Sequence, residues 1–194
     1  MSWRRGLAIG GTIAFILVFA AVVFYAKRGL PAWARRAEAK PPAAAAAAVP
    51  APPGRKIKAR LFYIAEDGTR LTGVERDVAY GEGADDQARE IIAAQIAPVA
   101  EPLLSAIPPG TTLRAVFITK SGDAYVDLSR EARDAHPGGT MDELLTVYTI
   151  VTALTMNLPA VTGVQVLVDG KEVDTLSGHV DLRRPLAKDL AWVQ

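Results

Sequence analysis

The sequence contains no cysteine, which excludes disulfides, thiolate zinc sites, cysteine nucleophiles and a bacterial lipoprotein anchor. Histidine is scarce as well, since His136 and His179 are the only two. Neither has a histidine or carboxylate three or four positions along a helix, which is the spacing of helical metal sites. Tryptophan is limited to three residues, and only Trp192 lies beyond position 54. Thiol chemistry is therefore excluded, and a helical histidine metal site is not predicted.

The net charge of +1 is the sum of two parts with opposite charge. Residues 1–54 carry seven Lys/Arg and one Glu, a net charge of +6. Residues 55–194 carry the other fifteen basic residues and twenty acids, a net charge of −5. Nucleic-acid binding depends on a basic surface that neutralises phosphates. The larger, acidic part therefore makes nucleic acid an unsuitable partner.

Residues 7–26 form an uncharged apolar run of twenty residues, LAIGGTIAFILVFAAVVFYA. A helix of that length spans about 30 Å, the thickness of the hydrocarbon core of a bilayer. Trp3 and Tyr25 lie where interfacial aromatic residues usually occur. The run predicts a single transmembrane signal anchor within residues 1–28. A cleaved signal peptide is the alternative, but the apolar run is longer than the core of a typical signal.

Two arguments predict opposite orientations for this span. Arg4 and Arg5 precede it, but five basic residues follow it, and counting them places the C-terminal part in the cytoplasm. An N-terminal anchor with a short leading tail, in contrast, commonly exports the chain that follows it.

Residues 29–55 are rich in alanine and proline, with six prolines and the run Ala43–Ala48. Prolines on both sides prevent a long helix from forming there. The composition predicts a flexible linker that holds the following domain away from the membrane.

Residues 56–194 alternate between strand and helix patterns. Short apolar or alternating runs bounded by turn residues predict the strands, and acids followed by an apolar stripe predict the first helix. The predicted strands are 57–65, 70–80, 112–119, 124–128, 164–168 and 171–175, and the first helix is 85–97. The strand 112–119 has apolar side chains on both faces, which predicts a central position in the sheet.

A second, longer helix is predicted to end at Asn157, just before Pro159. Leucine and valine recur every three or four residues along it, and Thr140 and Glu143 have the spacing of a capping box. Its many β-branched residues disfavour helix individually. A strand of that length would be abnormal, so helix is the better prediction. Asp169-Gly170 then predicts a type I′ hairpin turn.

These segments, in this order and spacing, resemble the GerMN domain of bacterial sporulation, germination and envelope proteins. The resemblance covers residues 57–187. The matching features are Leu61-Phe62-Tyr63, the strand Arg70–Val78 with Arg76, the helix before Pro98, Ile107–Thr111, Ala124–Ser129, Gly138-Gly139, Val164–Gly170 and Ser177-Gly178-His179.

The resemblance implies an α+β domain in which two main helices pack on one face of a small mixed or antiparallel sheet, as in ring-building modules. It implies a membrane tether and a domain outside the cytoplasm, which favours export over the cytoplasmic orientation. It supplies no catalytic residue.

The chemistry-bearing residues do not form a recognisable active-site motif. Ser177, His179 and Asp181 are close in sequence, but closeness does not create triad geometry and no Gly-x-Ser-x-Gly elbow is present. Gly81-x-Gly83 lacks the rest of a phosphate-binding loop. The remaining acids have structural explanations: Asp85-Asp86 and Asp142-Glu143 lie at helix starts, and Asp169 lies in a turn. We predict no catalytic, cofactor-binding or metal-binding residue and no cofactor, and the ligand-binding residues stay unknown.

Three functions are compatible with this sequence. The first is a non-catalytic, membrane-tethered scaffolding module in the periplasmic part of the cell envelope, acting by self-association or on other envelope proteins. The second is a peptidoglycan- or glycan-binding domain, which needs exposed aromatic side chains in a groove. The third, a hydrolase, has the weakest support in the residues.

Overall fold

The computed structural model describes residues 54–194. The predicted membrane span 7–26 and all but the last two residues of the predicted linker 29–55 lie outside the described residues. Among residues 54–194, no helix combines the length and the apolar character that a membrane span requires.

Seven strands and three helices follow one another in the described part of the chain. In order they are β1 Lys56–Ile64, β2 Leu71–Ala79, α1 Ala84–Ile96, β3 Leu113–Ile118, β4 Asp123–Leu128, α2 Glu131–Asp134, α3 Thr140–Asn157, β5 Gly163–Val168, β6 Lys171–Glu172 and β7 Leu186–Ala187, followed by a 3-10 turn at Leu190–Trp192. The α+β class predicted from the sequence is confirmed.

The strands form two sheets, so the prediction of one small sheet is wrong. Strands β1 and β2 make an antiparallel hairpin whose register runs from Lys56 opposite Ala79 to Ile64 opposite Leu71. The second sheet is mixed, in the order β3-β4-β5-β6, with β7 on β5. Its parallel pair is β4 and β5, which are joined in the chain by α2 and α3. The apolar patterns identify strands correctly, but they do not show which strands share hydrogen bonds.

Strand β3 lies at an edge of the second sheet, so its predicted central position is also wrong. Among the strands of residues 54–194, it pairs with β4 alone. Val116 is buried, whereas Phe117 on the opposite face is 58% exposed. Apolar side chains on both faces of a strand therefore did not mean that both faces are covered. One face of β3 packs inward and the other carries an exposed phenylalanine.

Helix α3 crosses the middle of the domain. Eleven of its eighteen residues are buried, which is more than a single amphipathic stripe provides. A helix covered on most of its surface is typical of a domain core. Packing on several sides thus offsets the low helix propensity of its β-branched residues. The helix ends at Asn157, as predicted, and Leu158 follows in an extended conformation.

Two threonines in α3 are buried without a hydrogen-bond partner among residues 54–194. The hydroxyls belong to Thr149 and Thr152, both fully buried. Valine has nearly the same shape and no hydroxyl, so either Thr→Val change is expected to stabilise the fold by about 1 kcal/mol. Urea unfolding of a fragment spanning residues 54–194 measures this. Thr155→Val is the matched control, because the Thr155 hydroxyl donates to Val151. An equal gain for Thr155→Val would contradict the explanation.

The outer edge of β1 is covered by side-chain amides from the two long helices. Gln95 of α1 accepts a hydrogen bond from the Phe62 N–H at 2.8 Å and donates to the Phe62 carbonyl at 2.7 Å. Asn157 of α3 bonds the N–H and carbonyl of Arg60 in the same way, at 2.8 Å each. The Ile64 N–H donates to the Leu104 carbonyl. The two helices therefore take the place of a third strand beside the hairpin.

Candidate functional site

Glu143 is the most deeply buried acid of the described residues, and the loop after β6 closes over it. Its side chain is 0% exposed. The carboxylate accepts hydrogen bonds from the Leu176 N–H at 2.7 Å, the Ser177 hydroxyl at 2.9 Å and the His179 N–H at 2.8 Å. His179 Nδ1 lies 3.2 Å from the same carboxylate. One carboxylate thus organises the segment 176–179, which lies more than thirty residues away in sequence.

These contacts determine the charge state of Glu143. Burial by itself raises the pKa of a carboxyl group, because it disfavours the charged form. The hydrogen bonds from Ser177, His179 and Leu176 have a larger opposite effect and lower the pKa of Glu143 from 4.5 to about 2. The group is therefore a fixed negative charge at neutral pH.

The capping box predicted for Thr140 and Glu143 is absent. The residue before the helix is Gly139, with a φ of 89°, and no side chain caps the helix there. Both acids, Asp142 and Glu143, lie in the first turn of α3, as expected for residues at a helix N-terminus. The sequence predicted the position of Glu143 correctly but assigned its side chain a local partner. Nothing in the local spacing indicates a partner near position 177.

The arrangement of Ser177 and His179 does not form a nucleophile relay. Catalytic triads need the serine hydroxyl bonded to the imidazole, which in turn is oriented by the acid. Here the serine hydroxyl and the imidazole both contact Glu143 instead. Asp181, the acid closest in sequence, forms a bidentate pair with Arg183. Gly178 has a φ of 101°, a backbone angle that favours glycine.

Asp85 and Asp169 also have structural partners. The Asp85 carboxylate accepts a hydrogen bond from the N–H of Ile118 in β3 at 2.9 Å, a contact that sequence reasoning missed. Asp169 has a φ of 51° and Gly170 a φ of 75°, which confirms the predicted turn. Arg114 contacts Asp127 at 3.0 Å and Asp169 at 3.4 Å. Within residues 54–194, no group of three potential ligands could hold a metal ion.

The other two motifs of the sequence also serve the fold. His136 Nδ1 accepts a hydrogen bond from the Gly138 N–H, and its Nε2 lies 3.2 Å from the Thr146 hydroxyl. At Gly81 a Cβ atom would lie 2.3 Å from the backbone nitrogen of Gln87. Glycine is therefore required at this position by the close approach of α1.

The segment between α1 and β3 surrounds an apolar hollow of about 450 Å³. Its lining comes from residues 96–111 and includes Ile96, Val99, Leu103, Leu104 and Ile107. Leu104 is 58% exposed, as exposed as Phe117 on β3. Exposed apolar surface around a concave site is typical of surfaces that bind other molecules.

Tyr80, Phe117 and Trp192 do not stack on one another. Tyr80 follows β2 and is 37% exposed, with the Arg55 guanidinium 3.8 Å from its ring centre. Phe117 lies on the other sheet. Trp192 is half-buried, with its ring centre 6.2 Å from that of Tyr148. A platform of stacked aromatics for a sugar is therefore not formed by these three residues.

Comparison with protein families matches residues 60–174 to the model of the Germane family, described as sporulation and spore germination. No curated protein matches the chain. The match ends before the loop that covers Glu143.

Three solved structures are similar to this chain, and the one with a TM-score above 0.5 shows the same fold. The tandem GerMN domains of the sporulation protein GerM from Bacillus subtilis are 20% identical, with a TM-score of 0.51, covering 70% of this chain and 46% of that one. The first GerMN domain of the same protein is 20% identical, with a TM-score of 0.46, covering 69% and 96%. A candidate lipoprotein from Clostridium perfringens is 23% identical, with a TM-score of 0.49, covering 69% and 88%.

Proposed function

Since the chain belongs to the sporulation and spore germination family, we propose that it is a non-catalytic interaction module of the bacterial cell envelope. In this proposal residues 7–26 anchor it in the inner membrane, residues 29–55 act as a flexible tether, and residues 56–194 form the binding domain outside the cytoplasm. Tethering confines the domain near the membrane and raises its effective concentration for weak partners.

The observation that carries this proposal is the apolar hollow beside Leu104. A side chain of this size, exposed to 58% at the rim of an apolar hollow, loses unfavourable contact with water when a partner covers it. The Glu143 site supports the proposal in a different way. The Ser177 hydroxyl and the His179 imidazole both contact the Glu143 carboxylate, and these contacts hold a loop. This is a structural use of groups that an enzyme would direct at a substrate.

A photo-crosslinking residue at position 104 tests the proposal in cells of the source organism. We expect discrete crosslinked products from position 104 and none from position 117. Position 117 is the matched control, because Phe117 has the same exposed fraction as Leu104 and does not line the hollow. Equal products from both positions, or none from position 104, would reject the hollow as the interaction surface.

Sedimentation with insoluble cell wall tests the glycan-binding alternative. The scaffolding proposal predicts that the protein stays in the supernatant. Saturable pelleting that Leu104→Ser leaves unchanged would favour a glycan-binding domain instead.

The orientation is tested by a compartment reporter fused after Gln194. An exported domain predicts reporter activity outside the cytoplasm. Activity in the cytoplasm would overturn the extracytoplasmic placement.

A further inference from the structure

At its centre, the outer edge of strand β2 is not paired by any of residues 54–194. Because hydrogen-bonded residues alternate along an antiparallel pair, the backbone groups of Gly73, Glu75 and Asp77 point away from β1. Among residues 54–194, no group bonds the N–H or carbonyl of these three residues on that side. They present three donors and three acceptors over about 13 Å of strand.

Both ends of this open stretch are closed by the domain itself. At one end the Gln194 N–H donates to the Leu71 carbonyl at 2.9 Å. At the other end the Gln87 amide donates to the Ala79 carbonyl at 3.1 Å. The opposite edge of the hairpin is covered at Arg60, Phe62 and Ile64, as described above. An unpaired strand edge is a template for another strand, and folded proteins usually cover it. This gap, the stretch Gly73–Asp77, is thus bounded at each end by a strand carbonyl that the domain itself bonds.

Glu75, at the centre of the gap, favours a basic residue at the facing position of an added strand. Glu75 is exposed, and although Arg60 lies opposite it on β1, it forms no salt bridge with Arg60 or any other of residues 54–194. Asp77, two positions further, is held by Lys58 at 2.7 Å. A strand added beside β2 places one residue directly opposite Glu75, and opposite charges stabilise such cross-strand pairs.

The other face of β2 favours an apolar residue in the added strand. Val74 is half-buried on that face. The Arg76 guanidinium lies 5.7 Å from the ring centre of Tyr63, so its charge is directed back over the hairpin. A strand with basic and apolar residues in alternation therefore fits both faces.

A second copy of this chain fits the edge less well. The antiparallel self-pairing that uses the whole gap is centred on Glu75, and it sets the two Glu75 carboxylates opposite each other. Like charges directly opposite destabilise a strand pair.

We propose that the edge of β2 from Gly73 to Asp77 binds an extended, basic segment of a partner protein by strand addition. The backbone of β2 supplies the affinity, and Glu75 with Val74 selects alternating basic and apolar side chains. This inference rests on the proposed function as an interaction module and adds the chemistry of one partner.

The test uses the full-length chain in an uncharged detergent and a dye-labelled, end-blocked peptide, Thr-Val-Lys-Val-Lys-Val-Lys-Val-Thr. Fluorescence anisotropy measures binding, and hydrogen exchange locates it. We expect saturable binding, with slower exchange at the amides of Gly73, Glu75 and Asp77. Glu75→Lys is expected to weaken binding at least tenfold, and to favour a matched peptide with glutamate in place of lysine. Glu172→Lys is the control, because it makes the same charge change at an exposed position on the other sheet.

Three outcomes would overturn the inference: equal affinity of the wild type and Glu75→Lys, exchange protection outside β2, or a dimer that the peptide cannot displace. The last would assign the edge to a second copy. If the peptide does not bind but crosslinks still form at position 104, strand addition is rejected and the proposed interaction module is retained. Loss of both would reject the proposed function.

Discussion

Replacing Glu143 with alanine is expected to lower the free energy of unfolding by about 2–6 kcal/mol, at about 1–3 kcal/mol for each of two backbone N–H groups that lose their acceptor. The change leaves the backbone N–H groups of Leu176 and His179 without their acceptor, and it opens a cavity beneath the loop. Chemical unfolding of a fragment spanning residues 54–194, followed by circular dichroism, measures the loss.

The same carboxylate makes the stability of the domain depend on pH. Its pKa is about 2 in the folded protein and 4.5 in the unfolded chain, so the unfolded state binds a proton first as the pH falls. The stabilisation is complete above pH 4.5 and disappears as the pH approaches 2. Over that window the wild type is expected to lose about 3 kcal/mol more than Glu143→Ala.

Asp142→Ala is the matched control for both measurements. Asp142 lies in the same turn of α3, but its side chain is exposed and bonds none of the loop residues. We expect it to change stability little and to leave the pH dependence intact. Identical pH dependence of wild type and Glu143→Ala would show that another group is responsible.

Gln95→Leu is expected to destabilise the domain by about 2–4 kcal/mol, because a buried N–H and a buried carbonyl each lose their partner. Both belong to Phe62, which is itself 0% exposed. Leucine has a similar size to glutamine, so lost packing contributes little. Urea unfolding measures the change.

Asn157→Leu separates the effect of burial from the effect of the hydrogen bonds. Asn157 makes the same two bonds to Arg60, but at an exposed position where water can replace the amide. The expected loss is about 1 kcal/mol. Equal losses of stability for Gln95→Leu and Asn157→Leu would contradict burial of the bonded groups as the cause of the larger loss expected for Gln95→Leu.

Local sequence features predicted the elements of this fold well. Pro159 and the length of the run predicted where α3 ends, and Asp169-Gly170 predicted a turn in which both residues have positive φ. These features work at short range, because proline restricts its neighbour and glycine accepts positive φ wherever they occur.

The contacts that form the candidate sites could not be predicted from the sequence. The partners of Glu143 lie at positions 176–179, and the amide that covers Phe62 comes from position 95. A hydrogen-bonding side chain has many possible partners in a chain, and the fold selects one. The sequence likewise did not show which face of β3 is covered, because apolar side chains on both faces of a strand do not reveal what packs against each face.

By itself, the sequence determined the family resemblance, the α+β class and the order of strands β1–β6 and the two long helices, since propensity, periodicity and turn residues act within a few positions. Only the tertiary structure decided that the strands form two sheets, that Glu143 holds a distant loop, and that β1 is covered while the centre of β2 stays open within residues 54–194. Each of these results depends on which backbone and side-chain groups meet across the fold, and the apolar pattern of a strand is the same whether or not its edge is paired.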